Sequence, residues 1–209
     1  MPEDAVDLGI VMTRENKTTY KIYWATCNIG ASKPEEYGGY YAWGETETKS
    51  EYSWGHYAFG NGASGPFSKY NTLESYGPVD NKKVLDTGEN GDDVASKNRG
   101  GNWRMPTDAE WKALLEQCGW TWTADFNGTG VVGRIVTSNV TGKSIFLPAA
   151  GSRSGSTLGA DGVFGDYWSS SLNTGRPNSA YHLQFDDNSY CCNTNNRYFG
   201  FSIRPVWEE

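Results

Sequence analysis

Residues 189–200 read SYCCNTNNRYFG: two adjacent cysteines beside three asparagines in four positions, with aromatic residues on both sides. No carboxylate, lysine or histidine lies inside the stretch, so it holds no group suited to moving protons near neutral pH. What it does hold is the mixture that contact surfaces favour, tyrosine for rigid area and asparagine and serine for adaptable hydrogen bonds. The plainer alternative is a polar turn, since asparagine and serine also mark turns.

Elsewhere the material for catalysis is thin. Two histidines, His56 and His182, leave almost nothing for a histidine zinc site or a triad. A GxSxG sequence occurs at 151–155, but no helix pattern follows it, and the strained elbow that exposes a nucleophilic serine needs one. The glycines of FGNGASG lack the strand-before, helix-after setting of a phosphate cradle. Asp86, Glu89, Asp92 and Asp93 lie at short spacing around glycines, where oxygen ligands can wrap a calcium ion. That run departs from the EF-hand pattern, and a solvated turn is the competing reading. Cys27 and Cys118 sit among apolar residues and are expected to be buried thiols. A bond between the neighbours Cys191 and Cys192 would be strained. No metal and no cofactor is expected.

Any such residues must be held by elements the sequence can build. In WRMPTDAEWKALLEQCGW, Thr107 and Glu110 form a capping box that starts a helix. Trp111, Leu114, Leu115 and Cys118 then fall on one core-facing side, and Gly119 is placed to stop the helix in a left-handed conformation. Short strands are expected at AVDLGIVM, YKIYWATCNIG, GYYAWGE, GRIVTSN, SIFLPAAG, YWSSS, SAYHLQF and FGFSIRPVW. The polar stretch 60–102 is long for a compact domain. Its tyrosines, with Phe67, Val84 and Leu85, predict that it packs down. Hydrophobic content is 37%, but nine Trp, thirteen Tyr and eight Phe supply a core with few aliphatics. Without a linker or repeat, the reading is one α+β domain over residues 1–209.

A net charge of −7 with no basic cluster excludes a polyanion such as nucleic acid as partner. No apolar run approaches the roughly 18 residues that would span a bilayer. The start, MPEDAVDLG, lacks the regions of a signal peptide, so a secreted form is expected to have had its leader removed.

VDLG, WATCNIGASKPEEYGGYYAWGET, KYN, VDNKKVLD, NWRMPTDAEW, IFLPAAG, DYWSSS and GFSIRPV occur in this order. Together they resemble a C-type-lectin-like family abundant in gut Bacteroidetes, of the Fibrobacter major paralogous domain type, over residues 6–206. The resemblance implies a C-type-lectin-like fold of two helices with mixed antiparallel strands. That fold also serves sulfatase-modifying enzymes and the variable proteins of diversity-generating retroelements. Sugar-binding members hold calcium through EPN or QPD and WND tripeptides. Here Arg176-Pro177-Asn178 lacks the acidic ligand and Trp168 precedes Ser169-Ser170. A calcium-assisted glycan binder and an enzyme of the sulfatase-modifying-like branch stand as alternatives to a non-enzymatic binding module.

Similarity to the retroelement proteins implies randomised AAY codons near the C-terminus, which cannot become Lys, Glu, Gln, Met or Trp. Those five types occur 33 times in residues 1–168 and once, as Gln184, in residues 169–203. Alternation in SAYHLQFDD places Tyr181, Leu183 and Phe185 inward and His182, Gln184 and Asp186 outward. Residues 190–196 follow no regular pattern, and Phe199, Phe201 and Ile203 return to the core. The expected site is therefore one exposed face carrying Asn173, Arg176, Asn178, His182, Asp186, Asn188, Tyr190, Cys192, Asn193, Asn195, Asn196 and Tyr198. Its ligand would be a protein or glycan on a cell surface, met extracellularly or from a phage particle, with Tyr190, Tyr198 and Arg176 as its anchors.

Overall fold

Apolar residues alternate only over short distances in this chain, and the strands they build are correspondingly short. The computed structural model describes residues 1–209. In chain order its elements are β1 (Ala5–Val6), β2 (Val11–Thr13), β3 (Thr19–Ala25), α1 (Val94–Arg99), β4 (Trp103–Arg104), α2 (Asp108–Gln117), β5 (Cys118–Thr123), β6 (Gly133–Ser138) and β7 (Ser144–Pro148). They continue with β8 (Ser152–Ser154), β9 (Thr157–Gly159), β10 (Gly165–Leu172), β11 (Ser179–Phe185), β12 (Tyr190–Asn196) and β13 (Val206–Glu208). Single 3-10 turns lie at Trp54–His56, Glu74–Tyr76 and Phe126–Gly128. The architecture is α+β: two helices with small sheets whose strand pairs are antiparallel.

One sheet runs β1-β3-β13-β4, with β2 also on β3, and so joins the two ends of the chain. The others run β10-β11-β12, β5-β6-β7 and β8-β9. Helix α2 begins as its sequence dictates: Thr107 accepts from the Glu110 amide and Glu110 reaches back to the Thr107 amide. Trp111 and Leu114 are fully buried, and Trp111 packs on Trp24 at 4.6 Å between ring centroids. The helix does not end at a left-handed Gly119. Cys118 is already extended, and Gly119 lies in β5 opposite Thr137. Pairing of CGWTWT with β6 prevails over the glycine stop.

Other expectations need similar adjustment. AVDLGIVM divides into β1 and β2, and GYYAWGE contributes only a bridge from Tyr41 to Phe201. FGFSIRPVW yields a regular strand only at Val206–Glu208, yet Phe201 and Ile203 are fully buried, as its alternation requires. In β10 the ladder to β11 shifts between Trp168 and Leu172. Gly165 faces Phe185 so closely that a Cβ would stand 2.1 Å from the ring, which requires glycine at that register.

The stretch 60–102 does pack down. Phe67 and Tyr70 are fully buried and Leu85 nearly so, while Val84 turns outward with 44% of its surface exposed. Its main rivet is Arg197, fully buried without a carboxylate partner. The guanidinium donates to the Tyr57 hydroxyl and to the carbonyls of Lys69, Tyr70 and Pro177. It also lies 4.8–5.2 Å from the ring centroids of Trp43, Tyr57 and Phe67. Carbonyl dipoles and ring faces replace the water it has lost.

Candidate functional site

The hairpin of β11 and β12 is closed by Asp186. Its carboxylate accepts from the amides of Asn188 and Ser189 and from the Ser189 hydroxyl, and these contacts hold its pKa below the usual carboxylate value. Its carbonyl accepts from Arg134 Nε and Nη2 at 2.9 and 2.7 Å. With the turn clamped at both groups, β12 pairs with β11 in unbroken register from Phe185↔Tyr190 to Ser179↔Asn196. Residues 190–196 are thus a regular strand, against expectation. Asparagine and cysteine are weak strand formers, and a formed partner strand supplies what their propensity does not.

Regularity has a consequence for the expected site, because successive side chains of a strand point to opposite faces. Tyr190, Cys192, Thr194 and Asn196 share the face of Leu183 and Phe185, against α2 and β5. Cys191, Asn193 and Asn195 share the other face, with Ala180, His182 and Gln184. The twelve residues therefore do not form one face. Tyr190, 40% exposed, stacks on Trp120 at 5.0 Å beside the Arg134 guanidinium. Cys192 packs into the core cluster, and burial, with Asp108 adding to it, pushes its thiol up to about 12. Asn173, Arg176 and Asn178 belong to the loop beyond β10. Asn173 closes a turn onto Gly175, Asn178 donates to the Ala63 carbonyl, and Arg176 is exposed. Asn188 lies exposed at the hairpin tip, with Nδ2 on Asp187 Oδ1.

His182 is the clearest correction. It is 1% exposed, between Trp168 and Phe201 at 5.7 and 4.9 Å. Its Nδ1 lies 3.3 Å from Asp166 Oδ1, and neither ring nitrogen makes a hydrogen bond. Both faces of β11 are covered, so alternation there sorts residues between two interiors rather than between core and water. Gln184 remains half-buried and donates to Asp166 Oδ1 at 3.2 Å.

One of the two faces of β12 is open. Asn193 and Cys191 are exposed and Asn195 half-buried, in line along the strand. The Asn193 and Asn195 side-chain oxygens each accept, at 2.8 Å, from the amide of the following residue. Those amides, on Thr194 and Asn196, point away from β11, so the asparagines also cover the free edge of the sheet. A chain of rings leads outward from Phe201, which lies against His182 of β11. Phe199 packs at 5.9 Å on Phe201, Tyr198 at 4.6 Å on Phe199, and Trp54 at 5.1 Å on Tyr198. Cys191, Trp54 and Phe199 were not among the expected site residues. Cys191 follows from alternation once β12 is known to be regular. No local signal marks Trp54, which comes from a 3-10 turn more than a hundred residues away.

Polar clusters elsewhere in the molecule are engaged in structural contacts. Ser53 Oγ and Glu51 Oε1 both approach His56 Nδ1, at 3.0 and 3.2 Å, whereas a nucleophile and an orienting carboxylate must address opposite ring nitrogens. A cleft of about 320 Å³ reaches Arg104 and Glu208. There Arg104 donates to Glu110, Glu208 and the Met105 carbonyl, leaving no donor for a substrate. Tyr20, bonded to Glu110, is pushed up to about 12 by burial and then by that carboxylate, and stays protonated. Of the carboxylates considered for calcium, Asp86 is paired with Lys82, and Asp92 is held by Lys69 and Tyr70. Asp93 caps α1 on the Ser96 amide and also takes the Met105 amide. No three His, Cys, Asp or Glu side chains are placed to hold one metal ion. No helix is long and apolar enough to cross a membrane. Compared with protein-family models, with curated proteins and with solved structures, the chain matches none.

Proposed function

We propose that this chain is a non-enzymatic ligand-binding module of the C-type-lectin-like kind, whose contact surface is the open face of β12 with the rings of Trp54, Tyr198 and Phe199. The observation that carries the reading is a division of labour within one strand and its neighbours. His182, Arg197, Phe201 and Ile203 are buried and hold the fold, while Cys191 and Asn193 face solvent and only local bonds engage Asn193 and Asn195. Such a division lets contact residues change without changing the frame, which is what a retroelement-diversified receptor-binding protein on a cell surface or phage particle requires. Gln184, the one residue type in 169–203 that randomised AAY codons cannot reach, has a fixed partner in the buried Asp166.

The test is a display library randomised at Cys191, Asn193, Asn195 and Tyr198. Most clones are expected to fold, and selection against an unrelated protein target is expected to return binders. A library in which most clones lose the fold would place these residues in the frame and remove the proposal.

A further inference from the structure

Away from β12, the sheet β5-β6-β7 ends on a cavity of about 130 Å³. Its lining comes from two places: Val6, Thr26 and Pro34 from β1 and the chain after β3, and Ser144, Ile145 and Phe146 from β7. Successive side chains of a strand leave on opposite faces, so a cavity touched by three successive residues runs along the edge of that strand. β6 covers one edge of β7, which leaves the free one. The register says which groups meet that edge. Ser138 N donates to the Lys143 carbonyl, and Ala149 N to the Val132 carbonyl. Counted along the continuous pairing from either bond, Ile145 and Leu147 turn their N–H and C=O to β6, while Ser144 and Phe146 turn theirs off the free edge.

Phe146 is 2% exposed, and its outward N–H and C=O meet no partner in the chain. Buried backbone groups are almost always paired, because leaving one bare costs about as much as a lost hydrogen bond. A donor and an acceptor of one residue, side by side, call for a partner that carries an acceptor beside a donor. An added strand has that pattern, but the space decides against it. The volume is near the roughly 150 Å³ of a cavity that takes benzene and well below the roughly 300 Å³ at which drug-sized sites begin. It holds one ring system. Half-buried Phe126 stacks on Phe146 at 3.9 Å and 3°, so part of the wall is aromatic and suits a flat ring. None of the eight lining residues is charged, and nothing there repays the desolvation of an ion. We infer that this cavity is a binding site for a small, flat, uncharged heterocycle that carries a hydrogen-bond donor beside an acceptor.

The experiment follows the backbone amide resonances of the chain by NMR as 7-azaindole is added, a fused ring whose pyridine nitrogen adjoins its N–H. A dissociation constant of about 1 mM or tighter is expected. The largest shifts are expected at Ile145, Phe146 and Leu147, with none at Asn193 or Asn195. Indene, which has the same outline and neither polar group, is expected to bind at least about tenfold more weakly. Val6→Phe fills the cavity from the β1 side and is expected to abolish binding. If that variant does not fold, Ile135→Phe, also in the lining, takes its place with the same expectation. The inference is overturned by the absence of shifts at Phe146, by shifts centred elsewhere, by indene binding as tightly as 7-azaindole, or by a folded cavity-filling variant that binds as the parent does.

Discussion

At the scale of single residues, the buried polar groups are the most informative. Arg197 is held by three carbonyls, a phenol and three ring faces. Replacing it with Met leaves those oxygens buried without donors, and the variant is expected to lose about 3 kcal/mol or more in urea unfolding. The exposed Arg176→Ala is expected to change stability by about 0.5 kcal/mol or less. Asp93 makes a pH prediction. Burial raises its pKa to about 6, outweighing the amides that lower it. Unfolded, it titrates near the ordinary aspartate value of 3.8, so between those values the folded chain binds the additional proton. The group therefore favours the folded state below about pH 4, and that contribution is lost as pH rises towards 6. Asp186, Asp80 and Asp7, with lowered values, act oppositely, and their contribution disappears as pH falls through their folded values. Urea midpoints between pH 4 and 7 should lose this Asp93 component in Asp93→Asn. An unchanged profile would contradict it. None of this was legible in the sequence: the spacing of Asp86, Asp92 and Asp93 suggested a cation loop, whereas Asp93 is the N-cap of a helix too short to announce itself.

At the scale of elements, capping and alternation were readable where they were local. Thr107 and Glu110 fixed the start of α2, and SAYHLQF gave the bounds of β11. Alternation could not say which faces were covered, and so His182 was expected in water. The strand β12 was illegible because its residues are poor strand formers and its regularity comes from β11. That regularity predicts the chemistry of the cysteine pair. Cys191 and Cys192 point to opposite faces, and both are free thiols. With Cys27 and Cys118 buried and Cys192 raised by burial, a native thiol titration with Ellman's reagent should show about one fast-reacting group per chain, lost in Cys191→Ser. Two fast groups would mean that β12 is not the strand described. The segment before β13 is equally committed to the core, and Ile203→Asp should unfold the domain, since it buries an unpaired charge. A soluble, fully folded Ile203→Asp chain by circular dichroism would contradict that placement.

At the scale of the molecule, buried tyrosines and Arg197 tie the long loop segments to one another. Tyr40, Tyr52 and Tyr57 donate to the carbonyls of Ala150, Tyr40 and Trp43, and Arg197 ties 69–70 to 177. Composition foretold the aromatic core but not this web, which depends on contacts between residues far apart in the chain. The proposed contact surface was half legible. Its polar strip stands in the sequence, while its division between two faces and the arrival of Trp54 required the fold. The central claim is that the open face of β12 is carried by the frame and does not support it. The most direct measurement is the thermal unfolding midpoint of Cys191→Ala/Asn193→Ala/Asn195→Ala. Side chains that face solvent or are half-buried without long-range bonds predict a cooperative transition within about 4 °C of the parent. A midpoint lowered by about 10 °C or more, or loss of a cooperative transition, would contradict the account and return SYCCNTNNRYFG to the structure of the fold.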